Sequence, residues 1–139
     1  MQIDSALLER IVSHARRDFP NECCGVVAVR DGVAETVHEL ENIQASPFRF
    51  EVEGLEVMRV TDEIEDAGSE LGVLYHSHTR SEPYPSETDV NFAANWPGVE
   101  WLIVGVRKEG EPSVRSYRID GGVVTEVEVS VVAGSGDDR

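Results

Sequence analysis

Apolar residues in the first eighteen positions recur with helical spacing. Leu7, Leu8, Ile11, Val12 and Ala15 fall at i, i+1, i+4, i+5 and i+8, a single stripe on a helix over residues 5–18. Asp4 or Ser5 is suited to cap its start, and Pro20 stops it. His14 lies beside the stripe and reads as a surface or boundary residue. The period then changes. After Glu22 the chain runs Cys-Cys-Gly-Val-Val-Ala-Val, and this continuous apolar run predicts a central strand over residues 22–30. Asp31-Gly32 is a hairpin signal, and residues 33–40 alternate like a half-exposed partner strand. A loop at 42–47 leads to a short strand over 48–52. Residues 54–67 read as a second helix with Leu55, Met58, Ile64 and Ala67 inward, ending near Gly68.

The second half repeats this alternation of strands and helices. Residues 71–78 form a strand, and the two prolines in 79–85 exclude helix there. A third helix starts at Ser86 and runs to about Asn95, where Trp96-Pro97-Gly98 breaks it. Residues 99–106 form a second buried strand, and 114–119 pairs with 123–132 about Asp120-Gly121-Gly122. Residues 134–139 carry no apolar anchor and are expected to be a disordered tail. With no repeat and no linker, residues 1–133 form one α/β (α+β-like) domain, a mixed sheet with helices packed on it.

Composition narrows the class of function. Twelve Lys and Arg against 27 Asp and Glu give a formal net charge of −15, which argues against nucleic acid and anionic membrane surfaces as partners. No apolar run approaches 18 residues, so a cytoplasmic, soluble protein is expected. The two cysteines, Cys23 and Cys24, are adjacent and poorly placed for a disulfide. On a strand they point to opposite sides, which makes them structural filler first and a thiol near the site second.

The chemistry concentrates at His76-Ser77-His78 and at Ser86-Glu87-Thr88-Asp89. Two histidines at i and i+2 on a strand project from one face, roughly 6–7 Å apart, and both imidazoles can turn onto one ion. Asp89, reached through the Pro-rich loop, can add a carboxylate oxygen. Two His and one carboxylate with an open fourth position form the ligand set of a catalytic zinc, one Zn²⁺ per chain, although the same ligands would take other divalent ions. Ser86-x-x-Asp89 is also close to a capping box, and the two readings are compatible.

His-Ser-His, seven residues, Ser, two residues, Asp matches the signature of the JAMM (MPN-type) metallopeptidases at each defined position. The resemblance extends from about residue 5 to about 130. Glu22-Cys23-Cys24-Gly25-Val26, Tyr75-His76-Ser77-His78-Thr79 and Tyr84-Pro85-Ser86 are similar to the short stand-alone branch. Peptidases of that branch remove cysteine from the C-terminus of a ubiquitin-like sulfur-carrier protein ending in Gly-Gly. The resemblance implies a curved mixed sheet flanked by about three helices. It implies zinc on His76, His78 and Asp89, with Glu22 as general base and acid and Ser86 donating to the oxyanion. Arg80 stands either to bind the carboxylate of a terminal cysteine or to remain a solvated loop charge. Tyr84 packs either on an extended Gly-Gly tail or back onto its own loop. The rival readings are a general isopeptidase of ubiquitin-like modifiers and a non-catalytic MPN scaffold. Scaffolds usually lose ligands, and here Glu22, His76, His78, Ser86 and Asp89 are all present.

Overall fold

The computed structural model describes residues 1–107 and 110–133; the tail expected at 134–139 lies outside the described residues. The elements are β1 (Gln2–Asp4), α1 (Ser5–Asp18), β2 (Cys24–Arg30), β3 (Val33–Leu40), α2 (Gly54–Asp66) and β4 (Glu70–His78). They continue with α3 (Glu87–Ala93), β5 (Glu100–Gly105), β6 (Ser113–Asp120), β7 (Val123–Val127) and β8 (Ser130–Val132). The strands form one sheet in the order β7-β6-β5-β4-β2-β3-β1-β8. β4 and β5 run parallel, as do β1 with β3 and with β8, and the remaining pairs are antiparallel.

That order dictates the shape. β7 and β8 occupy opposite ends of the strand list, yet only residues 128 and 129 separate them. Seven inter-strand spacings of an open sheet would span about 34 Å. The three Cα steps from Val127 to Ser130 reach about 11 Å at most. The sheet therefore curls until its two edges approach each other. The single strand expected over 123–132 is split for this reason, its two parts serving opposite edges. β1, too short to show a period, lies between β3 and the edge strand β8.

Strict alternation sorts the core. Val27 and Val29 of β2, Val73 and Tyr75 of β4, and Leu102 and Val104 of β5 pack with Ile11 and Ala15 of α1. Their neighbours turn the other way: Cys24, Val26 and Ala28 meet Val60 and Ile64 of α2, and Leu74, Trp101 and Ile103 meet Ala93 of α3. Cys23 and Cys24 are divided between the two faces, as the strand period requires, and both are buried. Asp4 is the N-cap of α1, accepting from the Ala6 N–H.

Three expectations need correction. On α2 Ile64 is buried as expected, but it is joined by buried Val60 and half-buried Val57 and Thr61, while Leu55 and Met58 are 73% and 62% exposed and Ala67 is exposed. The β-branched residues are the ones laid against the sheet. Residues 48–52 are not a strand. Asn42 satisfies that segment instead, its Oδ1 accepting from the Gln44 and Glu51 N–H groups and its Nδ2 donating to the Arg49 carbonyl. His14, finally, is buried, with Nδ1 2.7 Å from the Tyr75 hydroxyl and Nε2 3.3 Å from Asp18.

Gly25 explains the last of these. It lies opposite Tyr75 in the β2–β4 ladder, and a Cβ there would collide with the Tyr75 ring and hydroxyl. The missing side chain lets the fully buried ring lie across β2 and reach His14 on α1. Gly25→Ala should lower stability by about 1–3 kcal/mol through overpacking. The urea midpoint should fall at unchanged slope; an unshifted midpoint would show that Tyr75 has another place to go.

Candidate metal centre

The site is built where β4 ends. Alternation turns His76 and His78 to the α2/α3 side, while Ser77 points to the opposite face. Ser77 is used there: its Oγ accepts from the Cys23 N–H at 2.8 Å and its own N–H donates to the Cys23 carbonyl at 3.2 Å. These bonds tie the segment carrying Glu22 to the segment carrying the histidines, just past the end of the β2–β4 ladder.

Asp89 arrives from α3. Ser86 is the N-cap, its Oγ accepting from the Asp89 N–H, while the Ser86 N–H donates to Asp89 Oδ2 at 2.9 Å, a complete capping box. The same Oδ2 lies 3.1 Å from His76 Nε2 and 3.2 Å from His78 Nε2, and the two Nε2 atoms are 3.1 Å apart. Capping and convergence on the histidines therefore coexist in one carboxylate.

The donor set fits a metal ion. A tetrahedral zinc with bonds of about 2.0–2.1 Å has ligand atoms about 3.3 Å apart, close to the observed triangle. Tautomers support this. His78 Nδ1 is 2.8 Å from the Glu82 carbonyl, an acceptor only, so Nδ1 carries the proton and the neutral ring presents a lone pair at Nε2. The two Nε2 atoms and the Asp89 oxygen lie at mutual contact, so one cation at their centre would meet all three. His76 Nδ1 is buried without a hydrogen-bond partner, so nothing but Nε2 anchors this ring by polar contact. Phe50 packs over the His76 ring at 4.6 Å and Trp101 meets it edge-on at 6.0 Å.

The electrostatics follow from burial and proximity. Burial lowers the His76 pKa against the pull of Asp89. Burial also works against the charged form of His78, but Asp89 and the Glu82 carbonyl prevail and raise its pKa. Burial alone would raise Asp89, yet the two imidazoles and the Ser86 N–H hold it well below the ordinary carboxylate range.

A small cavity of about 50 Å³ opens beside His78 and Asp89, lined also by Glu22, Arg49 and Ser86 with the rings of Phe48, Phe50 and Phe92. Glu22 is 5% exposed, and burial pushes its carboxyl up to about 8; His78 pulls it down and Asp89 raises it further. The Glu22 backbone is fixed twice, its N–H donating to the Ser46 carbonyl and its carbonyl accepting from Asn42 Nδ2. Ser86 Oγ accepts from the Asp89 N–H and lines the cavity, and its O–H has no acceptor among the described residues. Five of the seven residues singled out in the sequence thus share one site.

Arg80 and Tyr84 stand apart from the cavity lining. Arg80 lies over the Phe48 ring, 5.2 Å from its centroid, and Tyr84 is 56% exposed with its ring edge-on to Tyr117 at 5.5 Å. Phe48, Arg49, Phe50 and Asn42 were not anticipated at the site. Their only signal was an apolar run that reads equally well as a strand. The cysteines are electrostatically inert: burial pushes the Cys23 thiol up to about 12 and Cys24 higher still. A larger cleft of about 570 Å³ at the opposite end of the sheet, near Glu70, Gly98 and Arg118, contains no metal-ligating group of three among the described residues.

The curled mixed sheet, the three helices and this cluster define a JAMM-type hydrolase, with His76, His78 and Asp89 as its candidate metal ligands. The chain belongs to the family described as prokaryotic homologs of the JAB domain, which matches residues 4–120. It is 40% identical to the CysO-cysteine peptidase of Mycobacterium tuberculosis over 132 residues, 94% of this chain and 90% of that protein. It is 41% identical to the desampylase of Haloferax volcanii over 103 residues, 68% of this chain and 73% of the relative. Among solved structures, a protein of Desulfitobacterium hafniense superposes with a TM-score of 0.82 at 27% identity, covering 99% of this chain and 97% of the other. A JAB1/MPN domain protein from Archaeoglobus fulgidus gives 0.65 at 23% identity, covering 95% and 99%, and supports the fold.

Two outcomes test the site. His78→Ala should strip bound zinc from the purified protein, measured by elemental analysis; zinc retained at one per chain would refute the ligand assignment. In metal-stripped protein, Glu22 has a folded pKa above its unfolded value, so its contribution to stability is complete below about pH 4.5 and is lost as pH rises toward about 8. Metal-free Glu22→Gln should therefore gain stability over metal-free wild type progressively across that interval. Parallel pH–stability curves would mean that Glu22 is solvated.

Proposed function

We propose that this chain is a zinc-dependent peptidase that hydrolyses the bond after the terminal Gly-Gly of a ubiquitin-like sulfur-carrier protein and releases cysteine. One observation carries the reading. Three ligand atoms converge within 3.2 Å, two of them on His78 and Asp89 at the wall of a cavity that is also lined by the buried Glu22 carboxyl and by Ser86. Similarity to the CysO-cysteine peptidase supports the substrate class.

His76, His78 and Asp89 would hold the zinc, which when bound supplies Lewis-acid activation of water and of the scissile carbonyl. Glu22 takes a proton from the attacking water. Its buried setting makes it a strong base for a carboxylate, and it returns that proton to the departing amine nitrogen. Water's oxygen bonds to the glycine carbonyl carbon as the C–N bond breaks. Ser86 donates to the oxygen that gains charge. Phe48, Phe50 and Phe92 narrow the approach, so an extended tail of small residues fits better than a folded loop. The carrier itself would lie on the domain's own surface.

The similarity to a desampylase favours a second reading, hydrolysis of an isopeptide bond to lysine. The same residues would serve it, with a different leaving amine.

Incubation with a Gly-Gly carrier extended by one cysteine, followed by intact-mass spectrometry, tests the first reading. The carrier should lose one cysteine residue, and a chelator should block the loss. An intact carrier with zinc-loaded protein would exclude it. Glu22→Gln should keep its zinc while kcat falls roughly 10²–10⁴-fold.

A further inference from the structure

We propose that Arg49 reads the α-carboxylate of the departing residue and so makes this site specific for the last peptide bond of a chain. The inference rests on the peptidase reading above and adds the group that recognises the leaving side. A single-residue leaving group carries its carboxylate two bonds from the scissile nitrogen, roughly 2.5 Å away. That anion must therefore enter the cavity beside the ligand trio. The surroundings oppose it: Glu22 and Asp89 line the same cavity, and the chain as a whole carries a net charge of −15.

Arg49 is the cation lining that cavity among the described residues. Its guanidinium has no carboxylate partner among them, unlike Arg17, Arg30, Arg59, Arg107 and Arg115, which all pair with glutamates. Its base is nevertheless fixed. The Arg49 carbonyl accepts from Asn42 Nδ2, the same amide that holds the Glu22 carbonyl, so the cation and the general base share one anchor. Its neighbour Phe50 packs on the His76 ring. A guanidinium with no carboxylate partner among the described residues, carried on an anchored backbone at an acidic cavity, matches the planar, two-oxygen geometry of a carboxylate. Arg80, stacked on Phe48 outside the lining, supports the aromatic wall instead. A lysine leaving an isopeptide bond presents no carboxylate two bonds away, so Arg49 also distinguishes the two substrate classes.

The test compares a carrier ending in Gly-Gly-Cys as the free acid with the same carrier as the C-terminal carboxamide. Wild type should favour the acid in kcat/KM by roughly 10–100-fold, the range of a charge-assisted pair. Arg49→Ala should abolish the preference by bringing acid turnover down to that of the amide, with the zinc content unchanged, whereas Arg80→Ala should keep it. Calorimetry with the Glu22→Gln variant should show the same acid preference in binding, removed by adding Arg49→Ala. Equal cleavage of acid and amide by wild type, or a preference surviving Arg49→Ala, overturns the role of Arg49 and leaves the peptidase reading intact. Cleavage of neither substrate by zinc-loaded wild type overturns the peptidase reading itself.

Discussion

Two imidazoles and a carboxylate are packed into mutual contact at a buried strand end, and the rest of the site exists to make that arrangement tolerable. Polar groups taken out of water at such spacing cost several kcal/mol unless each finds a partner. The protein supplies partners for part of the set. The Glu82 carbonyl faces Nδ1 of His78, the Ser86 N–H takes one lone pair of Asp89, and aromatic rings close over His76. What remains is a set of lone pairs aimed at one point. The curled sheet, the fixed register of β4 and the cap of α3 all serve to keep those directions constant.

The same economy joins the ligand set to the acid–base group. Among the described residues no hydrogen bond joins the Glu22 carboxyl to the histidines; its backbone is placed by bonds to Ser46, Asn42 and, through Cys23, to Ser77. Ser77, between the two histidines, is as structural as they are chemical. The alternation of one strand thus serves two purposes at once, ligands on one face and the clasp to the neighbouring strand on the other.

Much of this was legible in the sequence because it depends on local period. The i, i+2 spacing of His76 and His78 and the Ser86–Asp89 cap are short-range patterns, and their geometry is set by one strand and one helical turn. The curved sheet and its three helices followed from alternating periods together with the family resemblance. Elements governed by distant partners were not legible. His14 reads as a boundary residue until Gly25 lets the Tyr75 ring cross β2 to meet it. The 48–52 segment has the composition of a strand, but Asn42 takes its backbone groups first. On α2 two apolar stripes compete; Ile64 is inward as the sequence suggests, but only the packed sheet shows that Val57 and Val60 accompany it in place of Leu55 and Met58. Arg49 carried no spacing signal, being placed by a fold-back loop.

The shortness of α3 has a consequence for how the molecule orders itself. Seven residues are too few to hold a helix through their own backbone bonds. The helix depends on its cap, and the cap's carboxylate is also the third corner of the ligand triangle. Filling that triangle with a cation therefore does work at a distance from the chemistry: it pins the opening turn of α3 and, through Ala93 and Phe92, the wall against Trp101. One carboxylate is thus both the cap of a helix and a corner of the ligand triangle, so ion binding and the order of that wall would be coupled through Asp89.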